Sequence, residues 1–372
     1  MLSVTHLISG DLWAGAEVAT FHLIGALAQR ADTRVRAVVL NEGELARKLR
    51  AAGIETHLEP ESGRSFGDLR TALRTRLADS DLVHAHRYKE SILAALCGVP
   101  FVATQHGRPE PFRGMAGLRM ASYLGLDIVL KRLLARRVVA VSGEVEDWLR
   151  PRVGRSKTVR VGNGIADPTG EGGVVPFAER PRRVGVLARL TPVKGVELAI
   201  DTISRCPGVD LEIVGDGPER AALAARVSAL PREVAARIEF AGFDPAPLAR
   251  VANWRALLVT SHHEGNPISV LEALALGTPV LSGPLEGVAD ILDGRGGHGL
   301  PNRDPSTWAP ALQALVGDAD GARASSEARE RFLGAFTARA PAERIRSVYA
   351  DALGGIFTGS SPQAQQQPAP GR

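Results

Sequence analysis

Two glutamates, Glu264 and Glu272, stand with seven residues between them in the stretch HHEGNPISVLEALALGTPVLSG (262–283). Gly265, Asn266 and Pro267 follow the first and read as a loop. The second is flanked by Leu271, Ala273 and Leu274 in a run that reads as an apolar helix. In plain structural terms, Glu264 is a carboxylate that satisfies helix N–H groups and Glu272 a residue on a solvated helix face. A second set lies at 186–195, VLARLTPVKG. Arg189 is expected to end a strand and Lys194 to open a helix, so both cations can point into one crevice toward a diphosphate. The ordinary alternative is a solvated pair on a loop. Lys194 stands out because only Lys48, Lys89, Lys131, Lys157 and Lys194 are lysines among the 45 basic residues.

These side chains need elements to hold them. Short apolar runs at 4–9, 35–40, 82–86, 101–105, 138–142 and 158–162 alternate with helical segments, and a second series follows at 183–189, 210–215, 237–242, 256–261 and 278–283. Such alternation implies parallel sheets covered on both faces. The length of 372 residues suits two domains of about 150–200 residues each. The boundaries expected are a first domain at 1–163, a linker at 164–181 (GIADPTGEGGVVPFAERP), a second domain at 182–338, a terminal helix at 339–355 and a disordered tail at 356–372. In open parallel sheets, ligands bind beyond the carboxyl ends of the strands. That rule selects the loops 10–16, 105–107, 189–195, 215–218, 242–244 and 262–268.

Composition narrows the setting. Nothing approaches the ~20 consecutive apolar residues of a spanning helix, and the start, MLSVTHLISG, reads as a first strand. Cys97 and Cys206 are far apart and form no CxxC, which fits a reducing compartment and a cytoplasmic protein. Net charge is +4 with 5% aromatics, and no nucleic-acid module is visible, so no nucleic-acid partner is expected. The cations cluster in 113–137, RGMAGLRMASYLGLDIVLKRLLARR. That segment reads either as two helices packed on the first domain or as a surface that meets anionic lipid.

Several motifs carry less. Asp79 and Asp81 spell DxD but lie just before a strand, GDGPER (215–220) lacks a third glycine, and GRSKT (154–158) lacks P-loop spacing. His84 and His86 alternate on a strand as a metal pair would, yet no Cys or carboxylate cluster lies near them, and they read as sheet-end residues. Glu17 reads as a helix-dipole carboxylate.

EGNPISVLEALALGTPV resembles the Glu-x7-Glu signature of retaining glycosyltransferases of family 4. HLISGDLWAGAE, DLVHAHRY, ATQHG, VSGEVEDWL, VGNGI, VLARLTPVKG, LEIVGDGPER and FAGF are similar to that family's other segments, in the same order. The resemblance implies an α/β fold of GT-B type, with two Rossmann-like domains whose parallel sheets face each other across a cleft. It implies a metal-independent glycosyltransferase that needs no cofactor and uses a UDP-, GDP- or ADP-sugar as co-substrate and a glycan or lipid-linked acceptor. Glu272 would hold ribose hydroxyls and Glu264 hydroxyls of the transferred sugar. Arg189, Lys194 and backbone N–H groups from Asn266, Pro267's successor Ile268 and Ser269 would meet the diphosphate. Gly242 and Phe243 would read the base beside Gly215 and Gly217, while His106 would reach the sugar and Gly15 would let backbone approach phosphate. Two departures stand out: Ala14-Gly15-Ala16 in place of a glycine pair bears on the phosphate contact there, and Asn266-Pro267 after Gly265 bears on sugar specificity. A GT-B nucleotide-sugar epimerase and a non-catalytic binding homologue are the alternatives.

Overall fold

The computed structural model describes residues 1–11, 13–109, 114–170 and 173–355, so the expected tail at 356–372 lies outside the described residues. Two all-parallel sheets organise the chain. The first contains β1 (Leu2–Ile8), β2 (Thr33–Val39), β3 (Glu55–Leu58), β4 (Leu82–His86), β5 (Phe101–Gln105), β6 (Arg137–Ala140) and β7 (Thr158–Arg160), in the order β3-β2-β1-β4-β5-β6-β7. The second contains β8 (Arg183–Leu187), β9 (Asp210–Val214), β10 (Ile238–Gly242), β11 (Ala256–Val259), β12 (Val280–Ser282) and β13 (Gly297–Gly299), in the order β10-β9-β8-β11-β12-β13. Strand order therefore reverses direction between β1 and β4 and again between β8 and β11. Each reversal opens a crevice at the strands' carboxyl ends.

Most strands are the apolar runs themselves, because a parallel strand covered on both faces can be apolar throughout. β3 and β13 are additions that the sequence pattern does not signal. Both lie at sheet edges: the Glu-Thr-His-Leu of β3 is half-exposed or more, and β13 is Gly-His-Gly. Register then places side chains. His6 pairs with His84 across β1 and β4, and the two-residue period puts His86 on the same face.

The chain crosses between the sheets twice, and the crossings touch. Ile165 and Thr337 form a parallel bridge, in which the Ile165 N–H donates to the Phe336 carbonyl at 3.0 Å and the Ala338 N–H to the Ile165 carbonyl at 2.8 Å. After the second crossing, helix Arg339–Ala352 packs Ala342, Ile345, Val348 and Tyr349 into the core that Leu2, Val4 and Ile24 build around the first sheet. The segment before β8 is anchored to the second sheet's domain by Arg180, which is 1% exposed. Its guanidinium donates to the carbonyls of Val175, Trp254, Leu276 and Gly277.

Residues 114–134 form one helix, Gly114–Leu134, and not two. Arg180→Ala should lower unfolding stability by on the order of 3 kcal/mol in chemical denaturation, since it strands several buried carbonyls at once.

Candidate functional site

Beyond β8 the chain turns through a single 3-10 turn, Pro192–Lys194, and the following helix begins only at Glu197. Lys194 therefore closes a turn where the sequence suggested the opening of a helix. Gly195 reverses the chain with φ +54, and a Cβ there would lie 2.6 Å from the Thr260 carbonyl oxygen, so glycine is required. The loop after β11 grips this turn. The His262 N–H donates to the Val193 carbonyl at 2.8 Å, and the Thr260 hydroxyl to the Lys194 carbonyl at 2.9 Å. Arg303 locks the grip by donating to the carbonyls of Thr260 and Ser261.

The result is a preset charge pair. Lys194 Nζ lies 2.6 Å from Glu264 Oε1, and the Ser261 hydroxyl donates to the same oxygen at 2.6 Å. Lys194 thus does not stand free toward a ligand, as the sequence suggested. Arg189 does: β8 stops at Leu187, two residues short of the expected end, and the Arg189 side chain is exposed. No ion pair or side-chain hydrogen bond to another described residue holds it.

Glu264 does not cap the helix. Helix Ile268–Ala275 begins after Pro267, which occupies the N-cap position without a side-chain bond. The Val270 N–H is taken by the Pro267 carbonyl at 3.2 Å, leaving Ile268 and Ser269 to head the helix toward the cleft. Asn266 has a second duty. Its Oδ1 accepts from the Asn163 N–H and its carbonyl from Asn163 Nδ2, both at 3.0 Å, so it clips the VGNG turn of the first domain onto this loop.

Gly265, Ile268, Gly15 and His106 are brought together from both halves of the chain. A Cβ on Gly265 would come within 2.9 Å of the His106 carbonyl oxygen, and one on Gly15 would meet Ile268 at 3.8 Å. Gly215 and Gly217 serve a different end. Side chains there would strike the carbonyls of Ala188 and Leu190 at 1.9 and 2.3 Å, so these glycines let the loop after β9 lie against the loop that carries Arg189. The Gly215 N–H donates to the Gly242 carbonyl at 2.7 Å, and Phe243 beyond it is 63% exposed.

Glu272 is partly buried with no side-chain partner among the described residues. Burial alone pushes its carboxyl up to about 7. His106 is partly buried too, and desolvation, with Arg87 and Lys131 adding their positive charge, lowers its imidazole to about 3, so the ring is neutral.

His86 is the last residue of β4 and His84 stands two residues before it, but both are buried and not solvated sheet-end residues. They are 0% and 1% exposed, and with His6 they form a stack in the middle of the first sheet. Ligand atoms of the three lie within 4.8 Å of one another. His84, however, spends both ring nitrogens on hydrogen bonds, to the Tyr349 hydroxyl and the Thr104 hydroxyl at 2.6 Å each, and its ring stacks on that of His86 at 4.4 Å. The arrangement is a ladder of stacked rings and not a convergent ligand set. Glu17, read as a dipole carboxylate, is fully buried and paired with Arg87 Nη2 at 2.5 Å. Burial raises its carboxyl despite that cation. Arg87 itself sits at φ +79, a strained conformation for a non-glycine residue at the end of β4. Arg87, Arg303, Asn163 and Tyr349 are site-shaping residues that the sequence pattern does not announce.

The carboxyl at Glu272 has a consequence for stability. A folded-state pKa raised above the unfolded value means that the folded protein holds the proton more tightly, so stability falls as pH rises from about 4.5 through about 7. Glu272→Gln removes that penalty. Its melting temperature should equal that of the wild type near pH 4.5 and exceed it by a few degrees above pH 7, as followed by thermal unfolding across pH.

Residues 13–167 match the family model for Glycosyltransferase Family 4, and residues 181–318 match that for Glycosyl transferases group 1. The chain is 31% identical to the lipopolysaccharide core biosynthesis glycosyltransferase LpsE of Rhizobium meliloti over 41% of this chain and 45% of that one, so this match spans less than half of the relative. It is 28% identical to a D-inositol 3-phosphate glycosyltransferase of Thermobispora bispora over 77% of this chain and 74% of that one. Among solved structures it is similar to Anabaena HepE in complex with UDP-glucose, with a TM-score of 0.81 and 19% identity over 94% of this chain and 100% of that one. The two family models together span most of the chain, in order and one on each sheet domain, and with the GT-B fold they establish that the chain belongs to the family 4, group 1 glycosyltransferases.

Proposed function

We propose that this transferase moves a sugar from a nucleoside-diphosphate sugar to a hydroxyl acceptor, with retention at the anomeric carbon and without a metal ion. The observation that carries the reading is the Lys194–Glu264 pair, which lines one cavity with Ser269 at the head of helix Ile268–Ala275, below a loop whose Arg189 is exposed and has no side-chain partner among the described residues. A diphosphate entering there competes with Glu264 for Lys194. Engaging the phosphate would release the carboxylate for the hydroxyls of the transferred sugar, so one event readies both ends of the donor. Glu272, raised to about 7 by burial and without a side-chain partner among the described residues, suits the ribose hydroxyls. Gly242 and Phe243 flank the base, and His106 lies on the sugar side.

In the reaction the anomeric carbon–phosphate oxygen bond breaks as the acceptor oxygen bonds to the same face, and the acceptor proton passes to the leaving phosphate. Charge builds on that phosphate. Lys194 and the helix N–H groups of Ile268 and Ser269 are preorganised to stabilise it, and the exposed Arg189 joins them on binding, which is the task a metal would otherwise perform. The UDP-glucose bound by HepE makes UDP-sugars the first donors to try. The names of LpsE and the inositol-phosphate enzyme favour an envelope glycan or glycolipid acceptor.

Helix Gly114–Leu134 supports an acceptor at a membrane face. Its inner side buries Asp127 and Lys131, 2% and 0% exposed and paired at 2.7 Å, whereas Leu126, Val129 and Leu133 are 45%, 50% and 67% exposed. That polarity is the reverse of a water-facing helix. Arg119, Arg132 and Arg136 are exposed around it, and the occupant matching apolar surface ringed by cations is anionic lipid. Arg137 turns away to Asp351 at 2.5 Å. Among the described residues no helix is long and apolar enough to cross a membrane, so contact would be peripheral, at the cytoplasmic face.

Lys194→Ala should cut turnover with the accepted UDP-sugar by on the order of 10²-fold, and Glu272→Ala should weaken donor binding in calorimetry. EDTA should leave the wild-type rate unchanged, and a strict need for Mg²⁺ or Mn²⁺ would overturn the metal-free scheme. Sedimentation with vesicles tests the membrane part. Binding should require anionic lipid, fade with salt and weaken in Arg132→Gln/Arg136→Gln and in Leu133→Ser. A protein that stays in the supernatant, or that buries this helix in a dimer of its own, sinks the lipid assignment.

A further inference from the structure

The histidine ladder is connected to His106, and its hydrogen bonds have a direction that can be worked out atom by atom. Thr20 belongs to the first turns of helix Gly15–Ala28, and its hydroxyl donates its one proton to the Ala16 carbonyl at 2.8 Å. Toward His86 Nδ1, 3.2 Å away, Thr20 Oγ1 can therefore only accept. His86 must carry a proton on Nδ1. Burial keeps its ring neutral, so Nε2 is a lone pair, and His6 Nδ1 at 3.0 Å must donate to it. His6, also neutral, is left with a lone pair on Nε2 facing the Tyr349 hydroxyl at 3.4 Å, the longest link.

Tyr349 decides the far end. If its hydroxyl donates to His6, it must accept from His84 Nδ1 at 2.6 Å, and His84 Nε2 then accepts from the Thr104 hydroxyl. The opposite orientation, Tyr349 donating to His84, leaves His6 Nε2 with no donor. One arrangement satisfies every ring nitrogen of the ladder, and each bond in it points the same way, so each polarises the next.

The near end is the functional one. His86 Nδ1 also lies 3.1 Å from His106 Nε2, which as the partner of a donor must accept. Neutral His106 consequently carries its proton on Nδ1. Among the described residues that nitrogen is buried without a partner. A small cavity of about 30 Å³ is lined by Thr20, His86, His106, Gly162, Asn163 and Pro341.

The geometry points to a tautomer relay in which Thr20 and Tyr349, acting through His6 and His86, hold His106 in its Nδ1–H form, so that it meets substrate as a hydrogen-bond donor to a hydroxyl oxygen and not as a base. Thr20, His6, His86 and Tyr349 are positioning residues in this scheme. That the recipient is a sugar hydroxyl rests on the glycosyl-transfer reading; the tautomer itself does not. Arg87 and Lys131 face His106 with positive charge and oppose its protonation, which keeps the relay a matter of proton position and not of net charge.

The test is independent of any donor. Full-length protein carrying ¹⁵N-labelled histidine is examined at pH 7 by long-range ¹H–¹⁵N correlation, with His86→Gln and His106→Gln assigning the signals. His6, His86 and His106 should each be protonated at Nδ1 alone. Thr20→Ser should keep that signature, whereas Thr20→Val, of nearly the same shape, should lose it in part, and Thr20→Val/Tyr349→Phe should give His86 and His106 a substantial Nε2–H share. An Nε2–H His106 in the wild type overturns the relay. So does a Thr20→Val protein whose tautomers are unchanged, as does a stoichiometric metal ion on His6, His84 and His86 in the purified protein. Failure of the glycosyltransferase assays leaves these signals as they are, so the two readings fail separately.

Discussion

Where the two halves of the chain meet, the backbone of Gly265 lies so close to the carbonyl of His106 that no side chain fits between them. That approach sets the spacing of the whole site. A second glycine enforces it from behind, since a Cβ at Gly287 would fall 2.0 Å from the Gly265 carbonyl oxygen. With the loop pinned on both sides and clipped by Asn163, Glu264 is held at Lys194 and helix Ile268–Ala275 is aimed at the cleft. Bulk at Gly265 would separate the sheets' carboxyl edges, and the groups that converge there would move apart.

The site is built with charge that is only partly settled. Lys194 and Glu264 neutralise each other, Arg189 is left in solvent, and Glu272 sits where burial disfavours its ionised form. A fully compensated cluster would be more stable and would have less to offer a ligand. Around this the protein is rigid: Arg303 fixes the cation-bearing turn and Arg180 fixes the segment leading into β8. The unsettled groups are few, and stiff backbone carries them.

Much of this was legible in the sequence. Apolar strands alternating with helices announced two parallel sheets, and the rule that ligands gather beyond strand ends led to the loops that contain Arg189, Lys194, Glu264 and His106. What escaped did so for physical reasons. β3 and β13 sit at edges, where pairing on one side removes the demand for an apolar run. Spacing alone could not show that Lys194 closes a turn rather than opening a helix, because Gly195 decides that through its backbone conformation. The burial of His84 and His86 was not legible because their partners, His6 and Tyr349, are 78 or more residues away and meet them only through register and a returning helix. Glu17 gave no sign of burial, since its counter-ion comes from a strained Arg87 just beyond the end of β4.

The returning helix also imposes an order in time. The strands of the first sheet are complete at Arg160, yet the core behind them lacks Ala342, Ile345, Val348 and Tyr349 until the far end of the chain has been made. At about 5–20 residues per second, translation leaves that gap open for on the order of ten seconds or more. The half synthesised first is thus the half finished last, and during that interval the nascent chain carries an exposed apolar seam that its own carboxy-terminal segment later covers.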